Sequence, residues 1–195
     1  MSSMLCKNFI LNLIFVYLCY NSDMKIKTKN IDDTKILAKI FAKNLPDKGA
    51  FVSLFGDIGA GKTAFLRLVF KELGVKEKIT SPSFVILNEY TGAKNSSGKP
   101  LPIYHFDLYR LENEGLETIK EELREYSKAE ILTCVEWADF GSGELPYSRL
   151  NIKVSYDEDE YNDIRYYEFE PVGAEYEDFI EKIAYDAKKE GFYLE

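Results

Sequence analysis

Residues Gly56-Asp57-Ile58-Gly59-Ala60-Gly61-Lys62-Thr63 match G-x-x-x-x-G-K-[ST], and no other stretch of the chain restricts its fold as tightly. Glycines at these positions let the backbone curl until successive N–H groups face inward at a phosphate, an arrangement that needs a strand leading in and a helix leading out. Both flanks are present. Phe51-Val52-Ser53-Leu54-Phe55 is a short, nearly continuous apolar run bounded by Gly49 and Gly56, as in a strand buried within a parallel sheet. The stretch from Lys62 to about Leu73 reads as a helix, closed by Gly74 at the C′ position. On this reading the loop from Gly56 to Thr63, with Ala64 behind it, binds a nucleoside triphosphate. Lys62 neutralises the β and γ oxygens and the Thr63 hydroxyl ligates Mg²⁺. The chain has no N-K-x-D tetrapeptide to read guanine, so the expected nucleotide is ATP.

A nucleotide hydrolase also needs a carboxylate at the end of a neighbouring strand, to hold the Mg²⁺ shell or orient the attacking water. Two predicted strands end in one: Ile103 to Asp107, and Ile131 through Glu136 to Trp137. Asp107 is the candidate for catalytic-water or metal-shell duty and Glu136 for the metal-side carboxylate; an exposed strand-end acid is the alternative for each. Thr80-Ser81-Pro82-Ser83-Phe84 falls between the loop helix and the next strand, where a segment that senses the γ-phosphate would lie, unless it is a turn with hydroxyl caps. His105, the only histidine, reads as a buried, satisfied imidazole rather than a general base. Trp137, the only tryptophan, either stacks on a base or partner or packs in the core.

Further elements follow from periodicity. Asp32 to Leu45 carries Ile36, Leu37, Ile40 and Phe41 on one face, with acids in its first turn and Pro46 past its end, which predicts an amphipathic helix. Strands are expected at Phe84–Tyr90, Leu150–Tyr156 and Tyr166–Glu170, and helices over Leu116–Ser127 and in the tail from Glu175, whose apolar face should pack on the sheet. Turn-forming residues predict an exposed loop over Thr91–Pro102, and Asp157–Glu160 reads as a solvated hairpin tip.

At 195 residues the chain suits one domain with a full core. Its 25 basic and 33 acidic side chains leave a net charge of −8, which disfavours autonomous nucleic-acid binding. Three scattered cysteines without a C-x-x-C pair suggest neither a disulfide framework nor a zinc site, and a single histidine rules out a multi-histidine centre. Residues 1–23 differ from the rest: Phe9 to Tyr20 is apolar except for Asn12. That run is short for a bilayer span, carries one positive charge before it and lacks a small-residue cleavage site. It is read as a mis-set start or dispensable extension, in preference to a membrane tether or an export signal. Met24-Lys25-Ile26-Lys27-Thr28 then looks like a natural start leading into a helix, and the domain is taken as residues 24–195.

In order and spacing, G-D-I-G-A-G-K-T, S-P-S-F, H-F-D-L-Y-R-L (His105 to Leu111) and E-W-A-D (Glu136 to Asp139) resemble the bacterial TsaE family, over about Met24 to Pro171. The resemblance implies a three-layer α/β/α P-loop fold with a mixed central sheet. It also implies a slow cytoplasmic ATPase subunit, with no membrane expected, in the complex that forms threonylcarbamoyladenosine at position 37 of ANN-decoding tRNAs. The implied partners are the threonylcarbamoyl-transferase subunit and its inactive paralogue, with tRNA as substrate of the complex. Position by position, it makes Lys62 a phosphate contact, Thr63 a Mg²⁺ ligand, Asp107 and Glu136 the acids of the metal and catalytic site, Trp137 a neighbour of the nucleotide and Ser81–Phe84 the switch. Ser83 keeps the hydroxyl of the family's usual Thr, Ala64 replaces a frequent second Thr, and Asp139 is shorter than the usual Glu. Two other functions share the loop: a small-molecule phosphotransferase, for which Arg110 and Arg124 are the candidate lid arginines, and a nucleotide-gated binding module without useful hydrolysis.

Overall fold

A computed structural model describes residues 24–94, 98–112, 119–128, 130–141, 143–157 and 163–195; the apolar leader and most of the predicted acidic hairpin tip lie outside the described residues. Strands β1 (Met24–Thr28), β2 (Gly49–Phe55), β3 (Leu87–Lys94), β4 (Pro100–Asp107), β5 (Ile131–Glu136), β6 (Arg149–Ser155) and β7 (Arg165–Val172) form one sheet in the order β1-β7-β6-β2-β5-β4-β3. The four inner strands β6, β2, β5 and β4 run parallel, while β7, β1 and β3 add antiparallel edges. The sheet is mixed, as expected.

Helices α1 (Ile31–Asn44), α2 (Lys62–Glu72) and α4 (Glu177–Lys189) cover one face. Phe41 of α1 lies between Phe65 of α2 and Phe179 of α4, with ring centroids 5.8 and 5.0 Å away in edge-on geometry. Such aromatic contacts contribute about 0.5–1.5 kcal/mol each beyond their buried area. The other face carries a thinner layer: the short helix α3 (Lys120–Glu125) and the 3₁₀ segments Tyr109–Glu112 and Ala138–Gly141, packed through Leu111, Leu123 and Ala138 onto Phe51, Phe106 and Val135. Covered on both sides, β2 buries every residue from Gly49 to Leu54, which is why its sequence is continuous rather than alternating.

Several boundaries depart from the sequence reading. Met24–Thr28 is an edge strand, with Met24, Ile26 and Thr28 buried and Lys25 and Lys27 turned out. The first helix begins only at Ile31, capped by Asn30, whose Oδ1 accepts from the N–H groups of Asp32 and Asp33 at 2.9 Å. The stretch Thr91–Pro102 is not simply a loop. β3 continues to Lys94 and pairs with β4 from Pro100, and Ala93 N–H donates to the Leu73 carbonyl at the end of α2. Pro100 and Pro102 are tolerated because β5 begins to pair with β4 only at Ile103. Phe84–Ile86 is not strand either. The N–H groups of Val85 and Ile86 both fold back on the Pro82 carbonyl, Ile86 adopts φ 69°, and β3 starts at Leu87. Among the described residues the predicted helix Leu116–Ser127 contracts to Lys120–Glu125. The tail helix is present and buries Phe179, Ile183 and Ala187 as read.

Candidate functional site

The parallel strands deliver their C-terminal ends to one edge of the sheet, where β2 leads into the loop. Gly56 leaves the strand at φ 125°, and a Cβ there would stand 2.1 Å from the Val154 carbonyl oxygen of β6, so only glycine fits. Gly61 begins α2 from the left-handed region at φ 109° and supplies no side-chain cap. Unlike α1, then, α2 presents its first turn without a capping side chain, and its positive dipole end faces the loop. Lys62, only 5% exposed, donates Nζ hydrogen bonds to the carbonyls of Gly56 at 2.5 Å and Asp57 at 2.9 Å. Burial lowers the pKa of its ammonium, opposed by Glu136 first and then by Asp107, Asp57 and Asp139. Over the ammonium lies the Trp137 ring, 3.9 Å from Nζ to centroid.

Register puts the acids side by side: Asp107 of β4 pairs with Glu136 of β5, and Glu136 with Leu54 of β2. Both carboxylates are buried, at 2% exposure. Thr63 Oγ1 donates to Glu136 Oε2 at 2.8 Å, and His105 Nε2 lies 2.7 Å from the other oxygen, Oε1. Asp107 is engaged with the turn that precedes β3. Its Oδ2 accepts from Ser81 Oγ at 2.9 Å and Ser83 Oγ at 2.5 Å, while Oδ1 accepts from Tyr109 N–H. After Glu136 the chain turns sharply, with Trp137 at φ 60°, a backbone state uncommon outside glycine. The half-buried indole is held parallel to Phe140, 5.8 Å away, and against Tyr109 at 5.0 Å.

These oxygen donors fit a hard divalent cation beside a polyphosphate. Among the described residues no group of three or more His, Cys, Asp or Glu side chains forms a self-sufficient metal cage. Mg²⁺ does not require one, since it is held by one or two protein oxygens together with phosphates and waters. The Thr63 hydroxyl and Glu136 carboxylate, in contact at the uncapped start of α2, are such a set.

The family model described as Threonylcarbamoyl adenosine biosynthesis protein TsaE matches residues 28–165. The chain belongs to the TsaE family. It is 34% identical to the tRNA threonylcarbamoyladenosine biosynthesis protein TsaE of Bacillus subtilis, over 83% of this chain and 94% of that protein. To the Haemophilus influenzae protein of the same name it is 36% identical, over 66% and 77%. The crystal structure of Bacillus subtilis YdiB superposes with a TM-score of 0.64 at 30% identity, covering 84% of this chain and 95% of that one. The α/β architecture with its mixed sheet is shared with that relative.

Of the residues singled out in the sequence of this TsaE-family chain, Lys62, Thr63, Asp107, Glu136 and Trp137 converge on one edge of the sheet, and Ser83 joins them through Asp107. Asp57, Ile58 and Gly59 form the exposed rim of the loop, Ala60 is buried beneath it, and Ala64 is exposed in the first turn of α2. Arg110 stacks over Phe84, whereas Arg124 is engaged by Glu121 and Glu144. A different arginine reaches the loop: Arg165 of β7 donates Nε–H to the Ala60 carbonyl at 3.0 Å. No local pattern marks Arg165, because its place is set by the β6–β7–β1 pairing some hundred residues beyond the loop. The structure agrees with the reading of His105 as buried but satisfies only one ring nitrogen: Nε2 meets Glu136, while Nδ1 has no hydrogen-bond partner.

Proposed function

We propose that this chain is the ATP-hydrolysing accessory subunit of the complex that forms threonylcarbamoyladenosine at position 37 of ANN-decoding tRNAs. The contact between Thr63 Oγ1 and Glu136 Oε2, beneath an uncapped helix start, is the observation that carries the reading. It joins the loop hydroxyl to a buried carboxylate on the neighbouring strand. In this reading the N–H groups of the loop and of Lys62–Ala64 bind the phosphates of ATP, and the Lys62 ammonium moves from the loop carbonyls to the phosphate oxygens. Thr63 and Glu136 hold the Mg²⁺ shell, and Asp107 completes it or orients the attacking water once the Ser81 and Ser83 hydroxyls turn away from its Oδ2. Mg²⁺ would supply charge neutralisation at the phosphate oxygens. Trp137 covers the site on the side of Lys62. Membership in a family of threonylcarbamoyladenosine biosynthesis proteins supports a role in that modification. The partners proposed are the threonylcarbamoyl-transferase subunit and its inactive paralogue, acting in the cytoplasm. Among the described residues no helix is long and apolar enough to cross a membrane.

Phosphate release from Mg·ATP, measured with and without those two partners, is the direct test. Slow basal hydrolysis, stimulation by the partners and its loss in Lys62→Ala are expected, together with loss of the modified nucleoside in cells without the gene. Normal modification in such cells would falsify the role. Transfer of phosphate to an added small acceptor would instead mark a phosphotransferase.

A further inference from the structure

His105 is the only histidine of the chain, fully buried on β4, and its sole polar contact among the described residues is Glu136. Nε2 lies 2.7 Å from Glu136 Oε1, while Nδ1 is buried with no hydrogen-bond partner. The ring is therefore not held by a second polar anchor. It is held by its strand, where His105 pairs with Cys134, and by the edge-on Phe70 ring at 5.6 Å. An ionised carboxylate only accepts, so the geometry calls for the proton on Nε2. Glu136 then receives one donor on each oxygen: His105 on Oε1 and Thr63 on Oε2. Two donors on opposite oxygens fix the plane of the carboxylate, which a single contact would leave free to rotate.

We infer that His105 is a positioning residue for Glu136: by occupying Oε1 it directs Oε2 to the Thr63 hydroxyl and to the metal shell there. This rests on the Mg·ATP reading of the site, while the contact on which it depends lies between two side chains of the chain itself. Outer partners of this kind typically change metal affinity by about 10–100-fold when removed.

Two measurements on untagged full-length protein test the inference. With ¹⁵N label, the single histidine gives one ring spin system, and Nε2 is expected to carry a proton. A bare Nε2 overturns the inference irrespective of any nucleotide. In the second, binding of a non-hydrolysable ATP analogue is read from Trp137 fluorescence, in EDTA and over a Mg²⁺ titration. His105→Leu is expected to raise the Mg²⁺ half-saturation about 10–100-fold and to leave the EDTA affinity as in wild type. His105→Gln, whose amide nitrogen reaches the former Nε2 position, restores most of the loss. Equal shifts in both variants, or no shift in either, overturn the role. Should His105→Leu not fold, the comparison of His105→Gln with wild type and the tautomer still decide it. A wild-type protein whose binding ignores Mg²⁺ instead refutes the Mg·ATP reading, leaving the tautomer measurement to judge the His105–Glu136 contact.

Discussion

Lys62 is held where burial works against its charge. Burial is the dominant influence on its ammonium and lowers the pKa from the usual 10.5 despite four nearby acids. A lysine whose folded-state pKa is depressed destabilises the native state while both states are protonated. That cost fades as pH rises from the lowered folded value towards 10.5. Lys62→Met, which keeps most of the stem, is therefore expected to melt above wild type at pH 7, with the gap narrowing in scans taken closer to pH 10, and to lack hydrolysis. A variant that melts below wild type at pH 7 would show that the contacts with Gly56, Asp57 and Trp137 outweigh the desolvation. The identity of Lys62 and of the glycines around it was legible in the sequence, because the loop's conformation is a local demand on eight consecutive residues. The reach of Trp137 over Lys62 was not, since it depends on a φ of 60° at the end of another strand.

At the scale of elements, the inner strands and the amphipathic helices followed from their burial periods, and the misread stretches have separate physical causes. Met24–Thr28 alternates apolar and lysine in strand fashion, yet five residues are too few to outweigh the helix pattern that follows. The glycines and prolines of Thr91–Pro102 signal turns, but a hairpin edge accepts them where no second strand pairs. One contact ties the tail to the centre of the sheet. The Tyr176 hydroxyl accepts from Phe51 N–H at 2.8 Å, just before β6 begins to pair with β2 at Val52. Tyr176→Phe would leave that buried N–H unpartnered, at a cost of about 1–3 kcal/mol. A domain of this size should then melt several degrees lower; an unchanged Tm would mean that the group finds another acceptor. Nucleotide binding is expected to persist, since Phe51 is five residues ahead of the loop.

For the molecule as a whole, residues 24–195 are proposed as the working domain. β1 pairs with β7 from Met24 onward, and the chain end returns to it: Lys25 and Glu195 exchange both backbone hydrogen bonds, at 3.0 and 3.1 Å. A chain beginning at Met24 is expected to match the full-length protein in Tm and in nucleotide affinity; a clear drop in either would assign residues 1–23 a part in the fold or the site. The sequence by itself determined the glycine-rich loop between strand and helix, the apolar faces of the principal helices apart from Ile36, which the spacing puts on the buried face and the fold leaves exposed, the buried central strand and the family. Each of these is written in residues close together along the chain, where backbone conformation and periodicity act locally. Only the tertiary structure decided which carboxylate meets which hydroxyl. Thr63 and Glu136 stand 73 residues apart, and His105 and Glu136 stand 31 apart. They touch because parallel pairing of β2, β5 and β4 aligns their C-terminal ends, and hydrogen-bond register between distant strands leaves no mark in any short stretch of sequence.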